Sequence, residues 1–156
     1  MMHSLQPDTL IRNPRGEAVT STVELPTNAA SAWAMVGDFA GFAVFVTALS
    51  HIEMIGEGVG ALRKKSFKDG HVVVEQLNSR DEQAMRMTWT TLYNTLGVGQ
   101  LWAMMSVEPL AQERCRATWT IIAEPAAASA QGTPGFRRFI QEFADEAMGN
   151  VRALLS

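Results

Sequence analysis

The chain has 156 residues, of which 47% are hydrophobic and 19% charged, and its formal net charge is -3. This is the balance of one globular domain, and the slight acidity removes the electrostatic ground for binding nucleic acid or an anionic membrane. A single cysteine, Cys115, excludes an internal disulfide and fits a reducing, cytoplasmic setting, and no stretch reaches the ~18 apolar residues of a membrane span.

Residues 1–17 are polar and broken by Pro7, Pro14 and Gly16, which predicts a flexible N-terminal arm ahead of one domain over 18–156. "AVTSTVELP" alternates, with Val19, Ser21, Val23 and Leu25 on one face, as in a half-buried strand. Thr27 or Asn28 then caps a short helix, "AASAWAMVGDF", that Gly37 ends. "AGFAVFVTAL" reads as a second short helix bearing Phe39, Phe42 and Phe45.

From His51 to Glu124 one strand follows another. "HIEMIGEG" comes first, and "GALRKKSFKDGHVVVEQL" follows as a hairpin. A two-residue Asp-Gly turn sets Lys64 opposite Glu75; a three-residue Lys-Asp-Gly turn sets Arg63 opposite Glu75 and Lys65 opposite Val73. Both turn lengths are common, so the local residues leave the register open. "AMRMTWTTLY" places Met85, Met87, Trp89, Thr91 and Tyr93 on one face. "QLWAMMSVEP" does the same for Leu101, Ala103, Met105 and Val107, and "RCRATWTII" for Cys115, Ala117, Trp119 and Ile121. The spacing predicts an antiparallel meander. Trp102 and Met104 fall on the outer face, where the arm covers them or a homodimer contact does.

"EPAAASAQGTPG" is a small-residue loop, after which Thr133 caps a long helix with Pro134 at its first position. Phe136, Phe139, Ile140, Phe143, Ala147, Val151 and Leu154 recur at three- and four-residue spacing and form its apolar stripe. Such a helix buries its stripe against the concave face of a curved sheet, an arrangement that leaves room for a pocket. The fold class is therefore α+β: about seven antiparallel strands around a long C-terminal helix, with two short helices after the first strand.

Several stretches in this order carry a resemblance. They are "AWAMVGDF", "GEGVGALRKKSFKDG", "VVVEQL" with Asp81 six residues past Glu75, and the strand end from Thr118–Trp119 to Glu124–Pro125. Together, over roughly residues 18–155, the chain resembles the START-like, or SRPBCC, superfamily. That group includes birch-pollen-allergen-type proteins, plant abscisic acid receptors and bacterial polyketide cyclase/dehydrase-type proteins. Relatives often carry tryptophan where this chain has "FAVFV" and tyrosine where it has Leu101, so the expected pocket is more apolar here.

The resemblance implies a helix-grip fold whose cavity binds a small hydrophobic or amphipathic molecule. It favours the three-residue turn, with Arg63 and Glu75 both facing inward. Glu75 takes the place of a glutamate that faces the ligand in the receptor branch. The expected lining is Arg63, Lys65, Glu75, Met87, Trp89, Thr91, Tyr93, Leu101, Ala103, Met105 and Trp119 from the sheet, Phe42 from the short helices, and Phe139 and Phe143 from the last helix. A core packed solid, with no pocket of roughly 300 Å³ or more, would sink it.

Arg63 and Glu75 either hold each other or hold a ligand's polar group. The competing readings are a cyclase or dehydratase with Glu75 as its catalytic acid or base, and a protein-interaction module using Trp102 and Met104. His3, His51 and His71 lack metal-ligand spacing, and "GVG" at 97–99 is too short for a phosphate loop, so neither metal nor cofactor is expected.

Overall fold

The computed structural model describes residues 17–125 and 133–156. The expected arm up to residue 16, the loop residues 126–132 and the side chains of Thr133 and Pro134 lie outside the described residues.

Seven strands form one antiparallel sheet: β1 Val19–Leu25, β2 Leu49–Ile55, β3 Leu62–Phe67, β4 Val72–Asp81, β5 Arg86–Asn94, β6 Val98–Ala111 and β7 Arg114–Pro125. Their order is β1-β7-β6-β5-β4-β3-β2. Only the β1–β7 pairing joins strands that are far apart in the chain; every other neighbour is a hairpin partner, as a meander requires. The helices are α1, Ala29–Val36, and α2, Thr133–Leu155. Asn28 caps α1 by accepting a 2.8 Å hydrogen bond from the Ser31 N–H. The expected second short helix is a single 3-10 turn, Phe42–Val44. Gly41 and three buried phenylalanines there favour irregular packing over helix propagation.

Alternation sets the inner face of the sheet. Val19, Ser21 and Leu25 of β1 are buried, as are Met87 and Trp89 of β5, Ala103, Met105 and Val107 of β6, and Cys115, Ala117, Trp119 and Ile121 of β7. α2 lies against this face and packs on β1 and β7. It buries Phe136, Ile140, Ala144, Ala147, Met148 and Val151, while Phe139 and Leu154 of the stripe stand partly in solvent. Asn150 donates to the Phe45 carbonyl at 3.0 Å and so ties α2 to the 3-10 segment. Trp102 and Met104 take the outer face and are half-buried, which leaves little bare patch.

The β3–β4 hairpin has the three-residue turn. Arg63 pairs with Glu75 and Lys65 with Val73, and Gly70 sits at φ +96°. The Phe67 N–H donates to the His71 carbonyl at 2.8 Å and closes the loop. Gly70→Ala is expected to lose about 1–3 kcal/mol, since a Cβ is strained at that φ. A urea titration will show it as a lower midpoint at unchanged slope.

Candidate functional site

With this register β3 turns Arg63, Lys65 and Phe67 inward and Lys64 out, and β4 turns Val73, Glu75 and Leu77 inward. Three charged side chains are thereby forced into an apolar interior. Isolated buried charges are costly, and here they cluster. Arg63 Nε donates to Glu75 Oε1 at 2.8 Å. Its Nη2 lies 2.8 Å from the same oxygen but is misaligned for a hydrogen bond. Lys65 Nζ lies 3.1 Å from the same oxygen. The Thr91 hydroxyl donates to Glu75 Oε2 at 3.4 Å.

Arg63 goes deeper than Lys65. Its Nη1 donates to the Phe39 carbonyl at 2.7 Å. Its guanidinium carbon lies 3.8 Å from the Phe39 ring centre, 4.1 Å from Phe42 and 4.9 Å from Trp89. Rings at these distances stabilise a desolvated cation.

Burial pushes the Glu75 carboxyl up, but the charges of Lys65 and Arg63 and their hydrogen bonds outweigh it and hold it below its usual value. Burial lowers Lys65; Glu75 resists that shift and Arg63 adds to it. Burial likewise lowers Arg63 against the pull of Glu75, yet a guanidinium stays charged in proteins.

Beside the cluster, between sheet and α2, is a partly enclosed cavity of about 60 Å³. It holds a handful of water-sized groups and falls well short of the expected several hundred Å³. The indoles and rings that were to line a wide pocket fill it instead: Trp89 and Trp119 lie 6.2 Å apart, and Phe143 sits edge-on to Trp119 at 5.9 Å. A wider depression of about 770 Å³ between α1 and the β2–β3 loop is open to solvent and contains no part of the buried charge cluster, so the enclosed cavity is the better candidate.

Of the expected residues, Lys65, Glu75, Trp89, Thr91, Leu101, Ala103, Trp119, Phe139 and Phe143 line this cavity. Arg63, Phe42, Met87 and Met105 do not; they are fully buried in the core around it. Tyr93 is also outside, 58% exposed. A bulge explains it: Glu75 pairs with Thr91 but Val74 pairs with Tyr93, so Leu92 is extra and Tyr93 is turned outward. Asn94, opposite Val73, takes the inward place.

The lining also includes residues not expected there. Phe67, Val73, Ile121 and Ile140 share faces with expected ones, so alternation and the helical stripe already pointed to them. Leu96 comes from the β5–β6 turn and Val98 from the start of β6, a corner that Asn94 shapes by accepting from both of their N–H groups at 2.9 and 3.1 Å. No local pattern marks that turn as a wall. Among the described residues no group of three metal-ligating side chains occurs, and no helix is long and apolar enough to cross a membrane.

The curved sheet gripping a C-terminal helix, with a small apolar cavity between them, defines a START-like helix-grip protein. The chain belongs to the family described as polyketide cyclase / dehydrase and lipid transport, which matches residues 17–156. Among solved structures it is similar to a START superfamily protein from Mycobacterium smegmatis (TM-score 0.78, 12% identity, covering 90% of this chain and 97% of that one). It is also similar to the Zhui aromatase/cyclase from a Streptomyces species (TM-score 0.76, 17% identity, 89% and 93% covered). An uncharacterised protein from Bacillus thuringiensis has TM-score 0.79 at 14% identity, with 89% and 98% covered. At these identities the likeness is one of fold. No curated protein matches the chain by sequence.

Proposed function

We propose that the protein binds a small hydrophobic or amphipathic molecule in the cavity between sheet and α2. The observation that carries this is a partly enclosed, mostly apolar cavity with one polar corner, at Lys65 and Glu75. Apolar walls with a few placed polar groups are the usual make-up of a small-molecule site. The family description, which includes lipid transport, supports the same reading. The modest volume means that a bulky occupant must displace side chains. Phe139, 42% exposed on the cavity wall, is the lining side chain whose displacement toward solvent would uncover the least buried surface.

The cavity favours binding over proton transfer by Glu75. A carboxyl held below its usual pKa is a weak base, and it is not protonated near neutral pH to act as an acid. Its Oε1 is also surrounded by two cations already.

Benzyl alcohol and 1-octanol, titrated into the intact chain, are expected to shift the methyl resonances of Leu96, Leu101, Ile121 and Ile140. Ala103, buried on the wall, is the place to block the site. Ala103→Met is expected to abolish the shifts, with a stability loss of about 1–3 kcal/mol from overpacking. Shifts scattered over the surface, or none, would refute the reading.

A further inference from the structure

The charged cluster beside the cavity does not balance. Arg63 and Lys65 bring two positive charges, Glu75 brings one negative, and all three are buried. Among the described residues the cavity lining contains no other titratable side chain. Arg63 places Nε on Glu75 and Nη1 on the Phe39 carbonyl, leaves Nη2 without an aligned acceptor, and lies under aromatic rings, outside the cavity lining. The unmatched charge therefore falls to Lys65, the cation that reaches the cavity.

Lys65 is also short of partners. An ammonium has three N–H donors, and among the described residues Nζ has one polar partner, Glu75 Oε1. Its side chain is only 6% exposed, so bulk solvent does not readily supply the rest, which leaves them to whatever fills the cavity. Trp119 lines the same cavity, and its indole N–H is buried without an acceptor. The neighbouring polar side chains do not meet these needs. The Thr91 hydroxyl is turned to Glu75, and the Asn94 amide is occupied within the β5–β6 turn, where it also donates to the Val98 carbonyl. The wall thus presents unfilled donors and one surplus positive charge.

We propose that the occupant of this cavity is a monoanion, a small aromatic or aliphatic carboxylate whose head accepts from Lys65 Nζ and whose body lies among Trp89, Trp119 and Phe143. This rests on the ligand-binding reading above and names its chemical class. A carboxylate supplies the single negative charge that the cluster lacks, and its second oxygen can accept from another donor such as the Trp119 N–H. A dianionic phosphate would over-compensate one surplus charge.

The test is a matched set of probes, benzoate, benzyl alcohol and benzylamine, titrated into the intact chain by calorimetry and by the Trp119 indole N–H resonance. Benzoate is expected to bind roughly tenfold or more tighter than the alcohol, the difference a charged hydrogen bond makes, and the amine weakest of all. Lys65→Met is expected to melt no lower than the parent and to level acid and alcohol. Lys65→Arg is expected to keep the preference for the acid. Equal binding of acid and alcohol by the parent, or an acid preference that survives in Lys65→Met, would overturn the anion assignment and leave the pocket reading standing. Failure of all three probes to bind would count against the pocket reading itself, and this inference with it.

Discussion

Glu75→Gln is expected to destabilise the protein by about 3–5 kcal/mol, as breaking a buried ion pair does. The amide keeps the size of the carboxyl and removes its charge. Arg63 and Lys65 then face each other in the interior with no anion between them, where today each is close to 3 Å from one carboxylate oxygen. The loss comes mostly from the stranded cations rather than from the missing hydrogen bonds. Lys65→Met in the same chain should therefore recover part of it, by removing one of the two. Replacing all three with apolar residues of similar volume should be close to neutral. Urea midpoints of the three variants separate these cases; a loss of under about 1 kcal/mol in Glu75→Gln would mean that the cations are better solvated than their burial indicates.

The same cluster sets how stability varies with pH. The folded state holds the Glu75 carboxyl below its ordinary 4.5, so the folded chain binds fewer protons than the unfolded one in that range. The stability it contributes is in place above pH 4.5 and is lost as the pH falls through the lowered folded value. Lys65 acts at the other end. Its pKa is lowered from 10.5, so it too is less protonated in the folded chain, and stability rises as the pH climbs from that lowered value toward 10.5. In Lys65→Met the alkaline rise should shrink while the acid loss remains.

The hairpin that carries this cluster shows what was legible in the sequence. Alternation on β6 and β7, and on β5 as far as Thr91, marked the inner face correctly, and the helical stripe marked most of the contact side of α2. Turn chemistry alone left two registers for β3 and β4. The choice between them came from family resemblance, and it sets Arg63 opposite Glu75. What was not legible depends on contacts between distant segments. The bulge that turns Tyr93 outward lies in the pairing of β5 with β4, and no residue near Leu92 announces it. The depth of Arg63 depends on Phe39 and Phe42 closing over it from an earlier segment. The size of the cavity depends on how Trp89, Trp119 and Phe143 share one space, which a list of inward-facing residues does not contain.

Those rings also determine where the protein is least tolerant of change. Trp89→Ala is expected to lose about 3–5 kcal/mol, the range for truncating a buried large aromatic. Trp89 is fully buried, lies 5.5 Å from Phe42 in an edge-to-face pair and 6.0 Å from Phe39, and lies 4.9 Å under the Arg63 guanidinium. Its removal takes away transfer energy, ring contacts and part of the shield over a buried cation together. Trp89→Phe keeps a ring in the same place and should lose clearly less. The change also bears on binding, because Trp89 is part of the cavity wall. The space left by the indole adds to the cavity, so Trp89→Ala, examined where it is still folded, should accept larger apolar probes such as naphthalene derivatives that the parent binds weakly. Thermal unfolding gives the first number and probe titration the second. A variant that loses the full stability without any gain for larger probes would show that the core collapses into the gap, and that the wall at Trp89 does not set the size of the site.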